Sequence, residues 1–387
     1  MSVTAVEGFV AAGITAGIKP SGAPDMSVVA TADAAPVAAA GTFTSNKMTA
    51  APVLVTRGHL ERSGGLAAAV ILNSGNANAA TGRQGLADAE RMCGLTAAAL
   101  GCSSDHVLVC STGLIGFELP MEVIAAGIPR VVAARHPGGG SEAARAMMTT
   151  DTVAKEVVVD GGGFTVGGIA KGAAMLEPNM ATMLAVVTTD AAAEPAELQD
   201  VLRSGVATSF NRLTVDGAES TNDTVLLLAN GRAGAVPRDA LAAAVAEACG
   251  DLALQMADDA EGSTKTVLLR VTGAASDAEA AKAARDCANC QLVKCSWFGE
   301  DPYWGRIASE FGAAGVAFDP ERLRIAYGDH VVYADGRPQQ PDAEAVGAYM
   351  RRRRLHLNVD LGLGHGRAEI ITVDLSHAYI DENSRTS

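Results

Sequence analysis

The stretch GIAKGAAMLEPNMATMLAVVT, running from Gly168 to Thr188, decides how this chain is read. It opens on a glycine and a lone lysine, passes Pro178, and ends in a small residue, a threonine and an apolar run. An apolar run of that length behind turn residues reads as a buried strand. Thr182 therefore stands where a loop feeds a rigid element. As a β-branched residue it is an ordinary strand former. If the bond before it is cut, the same residue carries a nucleophilic hydroxyl and a free amine to act as its base. Local chemistry leaves both readings open.

Upstream, Lys155 to Val159 and Phe164 to Val166 read as a hairpin around Gly161-Gly162-Gly163. Ala67 to Leu72 is strand-like and runs into NSGNANAATG (Asn73 to Gly82), a loop of Asx turns leading to a helix. His106 to Cys110 is a short apolar strand followed directly by Ser111-Thr112-Gly113. A strand ending in Thr-Gly exposes a hydroxyl and a backbone N–H that can converge on one oxygen, as an oxyanion hole requires. It also suits a plain turn. Val53 to Thr56 reads as a strand. Helical spacing covers Leu86 to Leu100, with Gly101 as its C-cap, then Pro120 to Arg135 and Gly140 to Met148. The last of these leads into Thr149-Thr150-Asp151-Thr152, a cap-and-turn pattern.

Downstream, a helix from about Pro195 to Phe210 precedes a polar loop, Thr214 to Asp223, and a strand from Thr224 to Ala229. Asp239 to Met256 is a long amphipathic helix. The acids behind it, Asp258, Asp259 and Glu261, oppose the dipole preference of a helix C-terminus and fit a solvated end or a metal site. Lys265 to Thr272 is a strand, and Ser276 with Glu279 forms a capping box for a helix ending near Cys290. Arg324 to Tyr333 reads as a hairpin turning at Gly328-Asp329, and Leu355 to Leu361 as a strand paired with Ala368 to Asp374.

The bulk numbers narrow the function classes. A chain of 387 residues, 48% apolar with 4% aromatics, is long enough to bury a large core of the Ala/Gly/Val-rich α/β kind. A formal charge of −14 argues against a nucleic-acid partner. The run Arg351 to Arg354 reads as a solvated helix end. Seven cysteines, an odd number, fit reduced cytosolic thiols better than disulfides. Cys287-x-x-Cys290, with Cys295 nearby, lacks a second ligand pair at zinc spacing. The N-terminus has no signal-peptide pattern, and no uninterrupted apolar stretch reaches the roughly 18 residues a membrane span needs. No Gly-x-Ser-x-Gly elbow is present.

Lys171-Gly172 leading to Met180-Ala181-Thr182-Met183-Leu184 resembles the cleavage motif of the ornithine acetyltransferases (glutamate N-acetyltransferases) of arginine biosynthesis. The likeness covers nearly the whole chain. It includes the Asn73 to Asn78 segment, the loop Asp216 to Asp223 with Ala218 and Glu219 substituted, and DPYWGRI from Asp301. There Tyr303 replaces the family's asparagine, and Cys290-Gln291 replaces a Ser-Pro. The resemblance implies an α/β fold, a four-layer αββα sandwich, and self-cleavage at Ala181–Thr182. That cut gives an α fragment, 1–181, intertwined with a β fragment, 182–387, and pairing into an α2β2 heterotetramer. It implies Thr182 as nucleophile and Thr112 with Gly113 as oxyanion hole. It assigns substrate binding to Thr149, Lys171, Thr182, Glu261, Asn383 and Ser387, the tail being shorter than usual by about one residue. The substrates implied are N-acetylornithine and glutamate, in the cytoplasm, with no metal or cofactor, and with acetyl-CoA open as a further donor. Two other readings stand beside it: a self-cleaving aminopeptidase or amidase of the related fold, with water as acceptor, and a non-catalytic protein that kept the fold.

Overall fold

The computed structural model describes residues 2–177 and 183–384. They form two compact units, Met1–Asn211 with Ala218–Met256, and Arg212–Gly217 with Ala257–Ser387.

In the first unit the chain runs β1 (Phe9–Ile14), β2 (Met26–Thr31), β3 (Val37–Phe43), α1 (Ala51–Arg62), β4 (Leu66–Ala67) and β5 (Ala69–Asn76). It continues through α2 (Gly82–Leu100), β6 (Val107–Leu114), α3 (Met121–Ala134), α4 (Gly140–Met147), β7 (Lys155–Asp160) and β8 (Thr165–Lys171). Then come β9 (Leu184–Ala192), α5 (Pro195–Ala207), β10 (Thr224–Ala235) and α6 (Arg238–Asp258). One sheet has the order β1-β2-β5-β6 and the other β4-β3-β10-β9-β8-β7.

The side-chain alternation of each strand explains the layers. In β5 and β6, Ala69, Ile71, Val107 and Val109 face Met92, Ile124 and Ile128 of the covering helices. Their neighbours Val70, Leu72, Leu108 and Cys110 face Ile169, Val186, Leu226 and Leu228 of the other sheet. Strands buried on both faces read as unbroken apolar runs, which is why the sequence announces them. On the far side, Gln199 of α5 exchanges two hydrogen bonds with the backbone of Gly41. Leu252 of α6 lies over Gly168, where a Cβ would come within 3.0 Å of it. The αββα order is thus built inside the first unit.

The second unit was not foreseen as a separate body. It contains β11 (Thr266–Ala274), α7 (Asp277–Asn289), α8 (Gln291–Phe298), α9 (Trp304–Ala313), β12 (Arg324–Tyr327) and β13 (His330–Ala334). The short β14 (Arg337–Pro338), α10 (Ala343–Met350), β15 (Arg354–Asp360), β16 (Gly366–Val373) and α11 (His377–Asn383) complete it. Its sheet has the order β14-β13-β12-β15-β11-β16. Ala280, Ala283, Ala284 and Cys287 give α7 one apolar face, which packs with Trp297, Phe311 and the inward residues of β11 and β15.

Two expectations need correction. Val53 to Thr56 lies inside α1, not in a strand. Pro52 starts that helix where its missing N–H is not needed, and Thr56 Oγ1 donates to the Val109 carbonyl at 2.7 Å. Leu355–Leu361 and Ala368–Asp374 are not partners, because β11 lies between them, parallel to β15 and antiparallel to β16. The connection wraps the end of β11, with Leu363 and Gly364 N–H both donating to the Gly273 carbonyl. Helix α6 meets the length and composition of a membrane span but is interrupted by charged residues, in keeping with the expectation of no uninterrupted apolar stretch. Leu241, Val245, Cys249, Leu252 and Met256 are buried in the protein instead.

Candidate active site

Parallel strands β5 and β6 end together, with Ser74 opposite Thr112 and Gly75 opposite Gly113. Gly113 has φ +131°, a conformation that side chains other than glycine rarely adopt, and a Cβ there would fall 2.3 Å from the Gly75 carbonyl carbon. The glycine is required by its conformation and by the backbone opposite. The amide-rich segment beside it is self-bonded architecture. Asn73 Nδ2 donates to the Asn76 carbonyl, Asn76 Oδ1 accepts from Asn78 N–H, and Asn78 Nδ2 donates to the Gly85 carbonyl.

Strand β8 delivers Lys171 to this corner. Its last residue pairs across to Leu184, so the β8–β9 connection leaves and returns at one register position. The Lys171 ammonium is buried and donates to Thr112 Oγ1 at 3.2 Å. A hydroxyl that accepts from an ammonium keeps its own O–H to donate. With Ala77, Ile115, Met175 and Asn222, Thr112 and Gly113 line a small cavity of about 60 Å³.

Beneath Lys171 lies a buried carboxylate. Asp151 Oδ1 accepts from Lys155 Nζ at 2.6 Å and Gly172 N–H at 2.7 Å, and Oδ2 accepts from Thr149 N–H at 2.9 Å. Burial alone would raise its pKa, but the Lys171 and Lys155 charges and these hydrogen bonds outweigh it and lower the carboxyl to about 2. Asp151 therefore ties Thr149 to the end of β8. Next door, Lys19 Nζ donates to the Met148 carbonyl at 2.6 Å, and burial lowers its pKa.

The first unit thus brings Thr112, Gly113, Lys171 and Thr149 into one connected region. In the second unit, Asn383 Nδ2 donates to Glu261 Oε2 at 2.7 Å and to the Tyr379 carbonyl at 3.0 Å. The acid run ahead of β11 is satisfied within that unit: Asp258 pairs with the Arg354 guanidinium and accepts from Thr266 Oγ1. Among the described residues no group of acids, histidines or cysteines is arranged for a metal. Tyr303 is about half exposed beside Trp304. Ala181, Thr182 and Ser387 lie outside the described residues.

The sequence reading passed over three groups that the structure places here. Lys155 looked like a strand residue, yet it is fully buried against Asp151. Asn222 and Asp223 read as the end of a polar loop, yet both are buried beside the corner. The available signal was a polar cluster, Ser220 to Asp223, abutting an apolar strand.

The ArgJ family model matches residues 10–387. Curated relatives named arginine biosynthesis bifunctional protein ArgJ include one from Mycolicibacterium paratuberculosis, 49% identical over all of this chain and 96% of that protein. Another, from Streptomyces coelicolor, is 46% identical over the full length of both. A solved structure of ornithine acetyltransferase complexed with ornithine, from Mycobacterium tuberculosis, is 49% identical and covers 46% of this chain and 94% of that chain, with a TM-score of 0.44. With a family model spanning nearly the whole sequence and full-length relatives near half identity, the chain belongs to the ArgJ family.

Proposed function

We propose that the chain is a self-processing acetyltransferase that moves an acetyl group from N-acetylornithine to glutamate through an acetyl-Thr182 enzyme. Membership of the ArgJ family makes acetyl transfer in arginine biosynthesis its activity. The observation that carries the site assignment is the 3.2 Å bond from Lys171 to Thr112. It sets the start of the β8–β9 connection against the Thr-Gly corner.

In the precursor, the Thr182 hydroxyl attacks the Ala181 carbonyl. The Ala181–Thr182 C–N bond breaks, and the nitrogen takes the hydroxyl proton. Water hydrolyses the resulting ester, leaving an Ala181 carboxylate and a free Thr182 hydroxyl and amine. The fragments are 1–181 and 182–387. In turnover, Thr182 Oγ attacks the acetyl carbon of N-acetylornithine while the Thr182 amine accepts its proton. Negative charge builds on the acetyl oxygen, where the Thr112 O–H and Gly113 N–H receive it. The amide C–N bond then breaks and the proton passes to the ornithine nitrogen as it leaves. The amine of glutamate attacks the acetyl ester carbon, the ester C–O bond breaks, and the proton lost by that amine passes through the Thr182 amine to Thr182 Oγ.

Lys171 faces a substrate carboxylate as a point charge. Thr149, Glu261, Asn383 and Ser387 bind the remaining polar groups of the substrates. Every step is carried by the chain's own groups, so the proposal calls for no metal or cofactor. The curated relatives are named bifunctional, and acetyl-CoA as second donor is the matching proposal here. A cytoplasmic α2β2 assembly completes the reading. Family membership favours transfer to glutamate over the aminopeptidase alternative.

The deciding experiment is Thr182→Ala. It is expected to leave one uncut band on a denaturing gel and no detectable transfer, whereas the unsubstituted chain gives two bands starting at residues 1 and 182. Normal turnover by the variant, or a release of acetate that equals transfer to glutamate, would sink the proposal.

A further inference from the structure

We infer that Asn222 and Asp223 are a pair of positioning residues that hold the oxyanion corner and the nucleophile's chain in mutual register; this rests on the reading of Thr182 as nucleophile. The two side chains are adjacent in sequence and reach in different directions. Asn222 Nδ2 donates to the Ser111 carbonyl at 2.9 Å and to the Ala77 carbonyl at 2.6 Å. The Ser111 carbonyl belongs to the peptide unit that ends in the Thr112 nitrogen. Asp223 Oδ1 accepts from Met183 N–H at 3.0 Å. That N–H belongs to the peptide unit that begins at the Thr182 carbonyl carbon. The Met183 carbonyl in turn accepts from Thr224 N–H at 3.1 Å, so Met183 is held from both sides.

Two backbone groups remote in sequence, the Ser111 carbonyl and the Met183 N–H, are thereby held by consecutive residues at the mouth of β10. Their own backbone is pinned: the Thr221 carbonyl accepts from Ala50 N–H, and the Asp223 carbonyl from Thr44 N–H. Catalysis by an oxyanion corner depends on the distance between donor and nucleophile, and a misplacement of about 1 Å costs on the order of 100-fold.

The second oxygen of Asp223 is unusual. Oδ2 is buried and has no hydrogen-bond partner among the described residues. Burial pushes the carboxyl well up, with Glu219 adding to the rise, while Met183 N–H, Ser220 and Lys171 oppose it. Asparagine keeps the Oδ1 acceptor for Met183 N–H and removes the charge.

The test uses the full chain, with kcat counted per cleaved chain and folding followed by thermal melts. Asn222→Ala should lower kcat by at least about tenfold with KM within about threefold. In a Thr112→Ala background it should cost less than about threefold, because it acts through that corner. Asp223→Ala should lengthen both the self-cleavage half-time and acetyl-enzyme formation by at least about tenfold, while Asp223→Asn, which keeps the acceptor, stays within about fivefold. Where Asn222→Ala or Asp223→Ala does not fold, Asn222→Leu or Asp223→Leu replaces it, removing the polar contact at similar size. A loss that multiplies in full in the Thr112→Ala background overturns the pair, as does unchanged cleavage and transfer. Failure of the nucleophile reading looks different: Thr182→Ala would still cleave or transfer, whatever Asn222 and Asp223 do.

Discussion

A methyl group added at Gly113 would meet the backbone of Gly75 and Asn76 within 2.5 Å, on a residue already at φ +131°. Gly113→Ala is therefore expected to destabilise the protein by about 3 kcal/mol, from backbone strain and overpacking, and to lower kcat with it. Urea unfolding midpoints measure the first effect. Asp151 makes the second argument at this scale. It is the counter-ion of a fully buried Lys155 and the acceptor for Thr149 and Gly172 N–H. Asp151→Asn leaves that ammonium without its charge partner, a loss of about 3–5 kcal/mol. The pH dependence has a definite sign. The carboxyl titrates at about 2 in the fold and higher in the unfolded chain, near the ordinary value of about 3.9. The contribution is therefore complete above the unfolded value and lost as pH falls toward 2. Acid titration of stability should show Asp151→Asn and the parent converging below that window; parallel curves would contradict the assignment.

Among the elements, α8 depends on one side chain. Lys294 is buried, and its Nζ donates to the carbonyls of Val215 and Val373 and to Thr372 Oγ1. One ammonium thus joins α8, β16 and the short segment 212–217. Lys294→Met keeps the aliphatic stem but leaves two buried carbonyls without this donor, for an expected loss of about 3 kcal/mol in the second unit. Proteolysis under graded urea, with cuts read by mass, should show residues 257–384 opening first. A variant as resistant as the parent there would remove Lys294 from this role. The same element shows why sequence periodicity ran out. Gln291–Phe298 carries lysine and serine at positions that are buried, so it presents no polar face to read. α7 was legible because its alanines repeat at helical spacing and Ser276 accepts from Glu279 N–H as a capping box requires.

For the molecule as a whole, the proposed scission bond, Ala181–Thr182, does not coincide with the boundary of the compact units. Strands β3, β4, β7 and β8 precede residue 181, and β9 and β10 follow it, yet all six share one sheet. β8 pairs with β9 along its whole length, and β10 lies between β3 and β9. Cleaved fragments should therefore co-elute in native gel filtration and separate only in denaturant. Separation under native conditions would contradict the shared sheet. The proposed cut would remove one peptide bond and leave the ladders and the core between the sheets in place.

The sequence by itself determined most local elements and offered candidate chemistry, among whose readings the family resemblance chose. A threonine behind a small residue, a Thr-Gly pair ending an apolar strand, and a lysine-glycine pair are short-range patterns, and so are helical spacing and capping boxes. They could be read because each depends on residues a few positions apart. Only the tertiary structure decided what meets across the chain. It put Lys155 under Asp151, laid β11 between β15 and β16, turned Val53–Thr56 into helix, and aimed Asn222 and Asp223 at backbone groups 111 and 40 residues away. The reason is physical. A buried polar group is acceptable only where distant backbone supplies its partner, and nothing in the residues on either side records which partner that is.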